Sequence, residues 1–91
     1  MKNHYQTGVE LRNSIKSLVL TFIKETPICK PNAEGMKQAV IFRECGLDWG
    51  NKEKATSSNQ QYWLVGLLRE LEEEGLIVQD ITSKHWKLAN S

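Results

Sequence analysis

The fold is decided by the stretch SSNQQYWLVGLLRELEEEGLIVQDITSKHWKL, residues 57–88. It opens with two alternative capping boxes, Ser57 with Gln60 or Ser58 with Gln61, either of which satisfies free amide groups at a helix start. Leucines then recur at offsets of three and four, which makes one apolar stripe on a helix of 3.6 residues per turn. The stripe consists of Leu64, Leu67, Leu68 and Leu71. The stretch therefore begins as a capped amphipathic helix.

The same stretch also contains the signal that ends the helix. Gly75 is the residue type that adopts the left-handed conformation at helix ends, and the apolar Leu76 follows it. A helix over about residues 57–74 is therefore predicted. Residues 76–88 predict a small antiparallel hairpin with its turn at Ile81–Lys84, because β-branched residues precede the turn and polar and apolar residues alternate after it. Trp86 and Leu88 should point inward, and His85 and Lys87 outward.

A first helix is predicted near the amino terminus. Residues 1–8 are interpreted as a flexible tail, and Thr7 with Glu10 is a capping box for a helix over about Val9–Glu25. Apolar residues follow at helical spacing, namely Leu11, Ile15, Leu18, Val19, Phe22 and Ile23. Pro27 ends this helix because the ring offers no amide donor and restricts the preceding residue. Residues 28–30 are predicted to form a minor edge strand that pairs with the hairpin.

A second helix and a polar loop are predicted before residue 57. Pro31 and Asn32 indicate the start of the helix, and Gly46 with Leu47 repeats the glycine-plus-apolar stop. Its buried face should contain Met36, Ala39, Val40 and Phe42. Residues 48–56 are polar and predict a loop pinned by Trp49. For Trp63 we favour core packing over a partner interface or a contact with Trp49.

These elements define one domain over residues 9–91. Neither a hairpin nor a lone helix is stable alone, so we predict an α+β fold, mainly α, with a three-helix core closed by a small antiparallel β-hairpin. The length of 91 residues fits one core. No apolar run approaches the ~20 residues of a membrane span, and no secretory signal is visible. We expect a cytoplasmic protein without a membrane partner.

Catalytic and metal chemistry is not indicated. Cys29 and Cys45 match no redox or zinc spacing, and His4 and His85 lie far apart in the sequence, so we expect structural thiols, no disulfide and no metal. No nucleophile and base at an informative spacing, and no glycine-rich phosphate loop, can be recognised. We therefore predict neither an enzyme nor a bound cofactor.

Charge is distributed unevenly although the net charge is only +1. Four acids lie together towards the end of the last helix: Glu70, Glu72, Glu73 and Glu74. Basic residues surround its beginning and the hairpin: Lys52, Lys54, Arg69, Lys84 and Lys87. A nearly neutral domain can still present one cationic face to phosphates. The third helix and the hairpin are expected to share such a face.

The runs LVGLLRELEEEGLI and KHWKLA resemble the recognition-helix end and the second wing strand of the winged helix-turn-helix superfamily. This resemblance covers about the last third of the chain. It implies a third helix in the major groove of duplex DNA and a wing that contacts the backbone or the minor groove. The DNA-contacting residues it implies are Ser57, Ser58, Asn59, Gln61, Tyr62, Arg69, Ser83, Lys84, His85 and Lys87.

The function implied by the resemblance is that of a transcriptional regulator or another DNA-reading module. A homodimer is expected because a single module contacts only a short half-site. The alternative is a winged-helix domain that docks on another protein without binding nucleic acid, because a fold does not fix a function. Lys84 and Lys87 also have a simpler interpretation as charges that protect the edge of the hairpin.

Overall fold

The computed structural model describes residues 3–47 and 62–90 of the chain. In chain order the elements are α1 (His4–Glu25), a 3-10 helix (Pro27–Cys29), α2 (Gln38–Glu44), α3 (Tyr62–Glu73), β1 (Ile77–Gln79) and β2 (Trp86–Leu88). The three α-helices surround one core, which the two antiparallel strands close. The predicted fold class is therefore confirmed as α+β, mainly α, in a winged-helix layout.

The core is built on the apolar stripe of α3. Its four leucines are at most 2% exposed, as their spacing predicted. They pack with residues from every other element: Val19, Ile23, Cys29, Ile41, Phe42, Ile77 and Trp86. Trp86 is the largest fully buried side chain, and burial of an aromatic or aliphatic side chain contributes ~1.5–3 kcal/mol. The hairpin is thus anchored through Trp86, which was predicted to point inward.

Helix α1 begins five residues before the predicted Val9, at His4. The prediction of a tail over residues 1–8 is therefore wrong for His4 onward. Asn3 is the cap: its side chain accepts from the Gln6 amide at 2.8 Å, and the Gln6 side chain accepts from the Asn3 amide at 3.4 Å. The Thr7 hydroxyl donates to the Asn3 carbonyl instead of capping. The capping-box chemistry was right, but it operates one turn earlier.

The edge strand predicted at residues 28–30 is absent from the described part of the chain, which has a 3-10 helix at Pro27–Cys29. Met36 takes the place of that strand. Its amide donates to the Trp86 carbonyl at 2.9 Å and its carbonyl accepts from the Trp86 amide at 2.8 Å. This isolated bridge extends the hairpin on the β2 side. Proline at the first 3-10 position favours a helical turn over a strand.

Helix α2 begins at Gln38, not near Pro31. The chain turns at residues 30–33 instead, where the Ala33 amide donates to the Lys30 carbonyl at 2.9 Å, and Gly35, with a φ of +84°, then approaches the backbone of Trp86. A Cβ at this position would lie 2.7 Å from the Trp86 carbonyl oxygen. This close approach allows Met36 to pair with Trp86 of β2. The helix therefore begins only at Gln38, and Lys37 is its N-cap residue.

Both predicted glycine stops are confirmed. Gly75 has a φ of +79° and donates its amide to Glu72, while the Leu76 amide donates to Leu71. Gly46, with a φ of +75°, and Leu47 make the same two bonds to Arg43 and Phe42. In each case the pair of bonds satisfies carbonyl groups that the helix end would otherwise leave without partners. Each glycine therefore sets where its helix ends.

Three of the four glutamates near the end of α3 form ion pairs, two of them with residues of α1 and one with a residue of α3. The carboxylate of Glu70 pairs with Arg12 of α1 and lies 3.6 Å from the Lys16 ammonium, which also binds Glu74. Glu72 pairs with Arg69 at 3.1 Å. Two of the four acids therefore join α3 to α1.

Trp63 is 55% exposed, so the interpretation of this residue as a core side chain is wrong. It precedes the first buried leucine of α3, and one helix position turns it by about 100° from the stripe. Trp49 and the start of the third helix lie outside the described residues. Within the described part, no helix is long and apolar enough to cross a membrane.

Candidate nucleic-acid interface

The wing turn between β1 and β2 is organised by Asp80. Its carboxylate accepts from the backbone amides of Thr82 at 2.8 Å and Ser83 at 2.7 Å. These bonds favour the charged form and lower the pKa of Asp80. The Asp80 backbone closes the turn through His85 and Lys84. The turn is therefore an ordered surface, not a loose connection.

Lys84 occupies a special position in this turn. It is the one non-glycine residue of the described chain with a positive φ, at 67°. Its amide donates to the Asp80 carbonyl at 2.9 Å, and its carbonyl accepts from the Gln79 side chain at 3.0 Å. Left-handed backbone costs a residue with a Cβ roughly 1–2 kcal/mol. Two hydrogen bonds hold Lys84 there, and its side chain is exposed.

A groove of about 400 Å³ lies between this turn and the start of α2. Its described lining consists of Lys37, Gln38, Ala39, Gln79, Ser83 and Lys84. Two cationic side chains, two amides and a hydroxyl are thus presented together. None of these described lining residues is acidic. Ammonium, amide and hydroxyl groups of this kind are the ones that contact phosphate oxygens of nucleic acids. The groove is consequently a candidate surface for binding phosphate groups.

The other side of the wing turn has the opposite character. A shallow depression there is lined by Glu34, Asp80, Thr82, Ser83 and His85. Its two carboxylates disfavour a polyanion on that side. The cationic surface is therefore confined to the side of the turn that faces α2.

The two remaining predicted wing residues do not point freely to solvent. Lys87 is half-buried and its ammonium donates to the Ala33 carbonyl at 3.3 Å. His85 is also half-buried, and its buried Nδ1 has no hydrogen-bond partner among the described residues. The outward orientation predicted for both is thus wrong in part. The bridge from Met36 to Trp86 explains this, because it brings the segment that precedes Met36, which includes Ala33, against β2.

Arg69 lies on the flank of α3 that faces the hairpin. Its guanidinium carbon is 5.0 Å from the ring centroid of Trp86, and one of its nitrogens donates to Glu72 at 3.1 Å. Arginine over an aromatic face gives a favourable cation–π contact. Arg69 therefore stabilises the position of Trp86, although half of the Arg69 side chain is exposed.

Most of the predicted base-reading residues are beyond the described structure. Ser57, Ser58, Asn59 and Gln61 lie outside the described residues, and of Tyr62 only the backbone, as the first residue of α3, is described. Their proposed contacts to DNA stay predictions.

Of the predicted site residues, Ser83 and Lys84 are brought together in the groove. Sequence reasoning missed Lys37 and Gln38, because it placed them inside a helix that began near Pro31. The signal that reveals them is Gly35, whose left-handed backbone separates the preceding turn from α2.

The thiols and other ligand-type side chains do not add to this surface. Cys29 is buried and Cys45 half-buried, both are free, and burial raises the pKa of each. Among residues 3–47 and 62–90 no group of three or more histidine, cysteine or acidic side chains is placed to hold a metal ion.

Comparisons of the chain with protein-family models, with characterised proteins and with solved structures gave no match.

Proposed function

We propose that this domain binds duplex DNA through the Lys37–Lys84 groove and the start of its third helix. The groove supports the proposal because two exposed lysines from separate elements face one concave surface whose described lining holds no carboxylate. Backbone phosphates would contact Lys37, Lys84 and Ser83, and the third helix would then approach the base edges. The proposal includes the role of a transcriptional regulator in the cytoplasm.

The glutamates leave room for this binding mode. Glu70 and Glu74 are paired with Arg12 and Lys16 of α1, and Glu72 with Arg69. Their charge is partly compensated, and none of them lines the groove. A net charge of +1 for the whole chain is thus compatible with a local cationic surface.

Fluorescence anisotropy with a labelled duplex, at increasing salt, tests the proposal. Wild-type affinity should fall linearly on a log–log plot, because each neutralised phosphate releases counterions. The double variant Lys37→Gln/Lys84→Asn should bind every duplex more weakly and reduce the slope by about 2. Asparagine tolerates left-handed backbone well, so the turn should be retained.

Lys24→Gln/Lys30→Gln is the matched control, because it removes the same charge from residues that do not line the groove. It should leave the slope nearly unchanged. An equal loss in both double variants would show general attraction to the domain and would reject the groove. No binding of wild-type protein even at low salt would reject DNA binding altogether.

The second candidate function is docking on another protein through Trp63, which is favoured by its 55% exposure on α3. Tryptophan is enriched at the energetic centres of protein interfaces. An interface of this type would be little affected by salt. A complex that Trp63→Ala weakens and salt does not would favour this function over DNA binding.

A further inference from the structure

Helix α1 carries a second stripe that its own core does not cover. His4, Leu11, Leu18 and Glu25 follow one another at intervals of seven residues, which keeps them on one line of the helix within about 20° per interval. All four are exposed, with Leu11 at 60% and Leu18 at 45%. The buried stripe of the same helix is formed by Val19 and Ile23 instead. Helix α1 therefore carries two exposed leucines on a line that is separate from its buried stripe.

The order of residues along this open stripe is complementary to itself. Leu11 and Leu18 are equally distant from a midpoint between Ser14 and Ile15, and His4 and Glu25 share that midpoint. A second α1 that runs antiparallel across it would place each leucine against the other leucine, and each His4 against Glu25. Glu25 would also meet the amino-terminal end of the neighbouring helix, where the helix dipole is positive.

A small residue near the midpoint allows a close approach. Ser14 lies between the two leucines on the same face, three residues after Leu11 and four before Leu18, and it is small, exposed and uncharged. Two identical helices therefore meet without like charges opposed at the centre. In a twofold interface every contact occurs twice, so one leucine pair and one His–Glu pair become two of each.

We propose that this stripe is the dimer interface of the protein, with a second copy of the chain as its occupant and the two α1 helices antiparallel. The stripe is about 31 Å long at a rise of 1.5 Å per residue and about one helix wide, ~10 Å. This strip, on the order of 300 Å² per copy, is smaller than the ~800 Å² per partner of standard stable interfaces. The dimer should therefore be weak and concentration-dependent. It does not depend on the proposed DNA binding, because none of the stripe lines the groove.

Sedimentation equilibrium without DNA tests the interface. The mass of the wild type should rise from 10.4 kDa towards twice that value as the concentration increases to about 1 mM, because an interface smaller than the standard size is expected to be weak. Leu11→Glu and Leu18→Glu should each remain monomeric. Ile81→Glu is the matched control, because Ile81 is an apolar residue of the hairpin turn that is 86% exposed. A wild-type mass that stays at 10.4 kDa, or an equal loss of dimer in the control, would overturn the proposal.

Cross-linking tests the antiparallel order, and it does so even where a charged variant fails to fold. In a Cys45→Ser background, the double variant Leu11→Cys/Leu18→Cys should form a covalent dimer under mild oxidation. The single variant Leu11→Cys should not form one. In the antiparallel pair the cysteines at position 11 of the two helices lie about 10 Å apart along the helix axis, whereas a disulfide needs Cα atoms within ~7 Å. A covalent dimer of the single variant would show a parallel pair and contradict the arrangement.

Discussion

At the scale of single residues, Asp80 shows how one carboxylate orders the wing. It accepts two backbone amides, and these bonds lower its pKa. A carboxyl whose pKa is lower in the folded state stabilises the fold at pH values above its unfolded pKa, near 3.8. That contribution is lost as the pH falls through the lowered folded value.

Asp80→Asn isolates the charge of this residue, because the amide oxygen can still accept both bonds. The variant should be less stable than the wild type at about pH 6, and the difference should shrink progressively towards about pH 2.5. Urea unfolding at a series of pH values measures both curves. A difference that stays constant over this range would mean that the charge of Asp80 contributes nothing.

Gly35 allows the β-bridge between Met36 and Trp86, because it lies against the backbone of Trp86. A Cβ there would meet the Trp86 carbonyl oxygen at 2.7 Å, and its φ of +84° strains any other residue. Gly35→Ala should destabilise the protein by at least ~2 kcal/mol, because backbone atoms cannot move aside cheaply. Gly8→Ala makes the same change inside α1, where nothing lies within 4 Å, and should stabilise by ~0.5–1 kcal/mol. The urea midpoints of both variants, compared with that of the wild type, test these two expectations. A Gly35→Ala variant as stable as the wild type would contradict the close approach of Gly35 to Trp86.

At the scale of elements, the ion pairs between α1 and α3 can be separated from simple surface charge. Glu70 contacts both Arg12 and Lys16, whereas Glu73 is exposed at the end of α3. Glu70→Lys should destabilise by about 1 kcal/mol at low salt, because attraction becomes repulsion. Glu73→Lys makes the same charge change and should be nearly neutral, since a lysine suits a helix carboxyl end. The difference between the two unfolding free energies should shrink in high salt; no difference at low salt would mean that the pairs are fully screened.

The elements that sequence predicted correctly are the ones governed by local rules. The leucine stripe, both glycine stops and the hairpin follow from helical period, positive φ and alternation within a few residues. Two kinds of prediction failed. The start of α1, the edge strand and the burial of Trp63 failed because local signals at Asn3, Pro27 and the helix turn were missed, and the start of α2 failed because a tertiary contact decides it. Because Met36 pairs with Trp86, the residues before Lys37 are not helical as the sequence predicted. The same pairing brings the preceding segment against β2, so Lys87 is half-buried.

The candidate site likewise contains one lysine that local rules predicted and one that they could not predict. Lys84 could be predicted because the wing turn is local. Lys37 could not, because it reaches the groove only after Gly35 has turned the chain against Trp86. A groove between two elements distant in sequence has no local signature.

At the scale of the whole molecule, the two proposed surfaces make a joint prediction. An antiparallel α1 pair would carry two grooves related by a twofold axis, so a dimer could engage two half-sites on one duplex. Simultaneous contact at both sites raises the apparent affinity through effective concentration, even when each contact is weak.

Leu11→Glu should therefore affect long and short duplexes differently. On a duplex of about 10 base pairs, long enough for one half-site, it should bind as the wild type does. On a duplex of about 30 base pairs it should lose roughly tenfold or more, because the second contact is no longer tethered. Lys84→Asn should weaken binding to both lengths, since it removes a phosphate contact from every module. If Leu11→Glu lost the same factor on both duplexes, Leu11 would have to act within a single module, and the dimer would have no part in DNA binding.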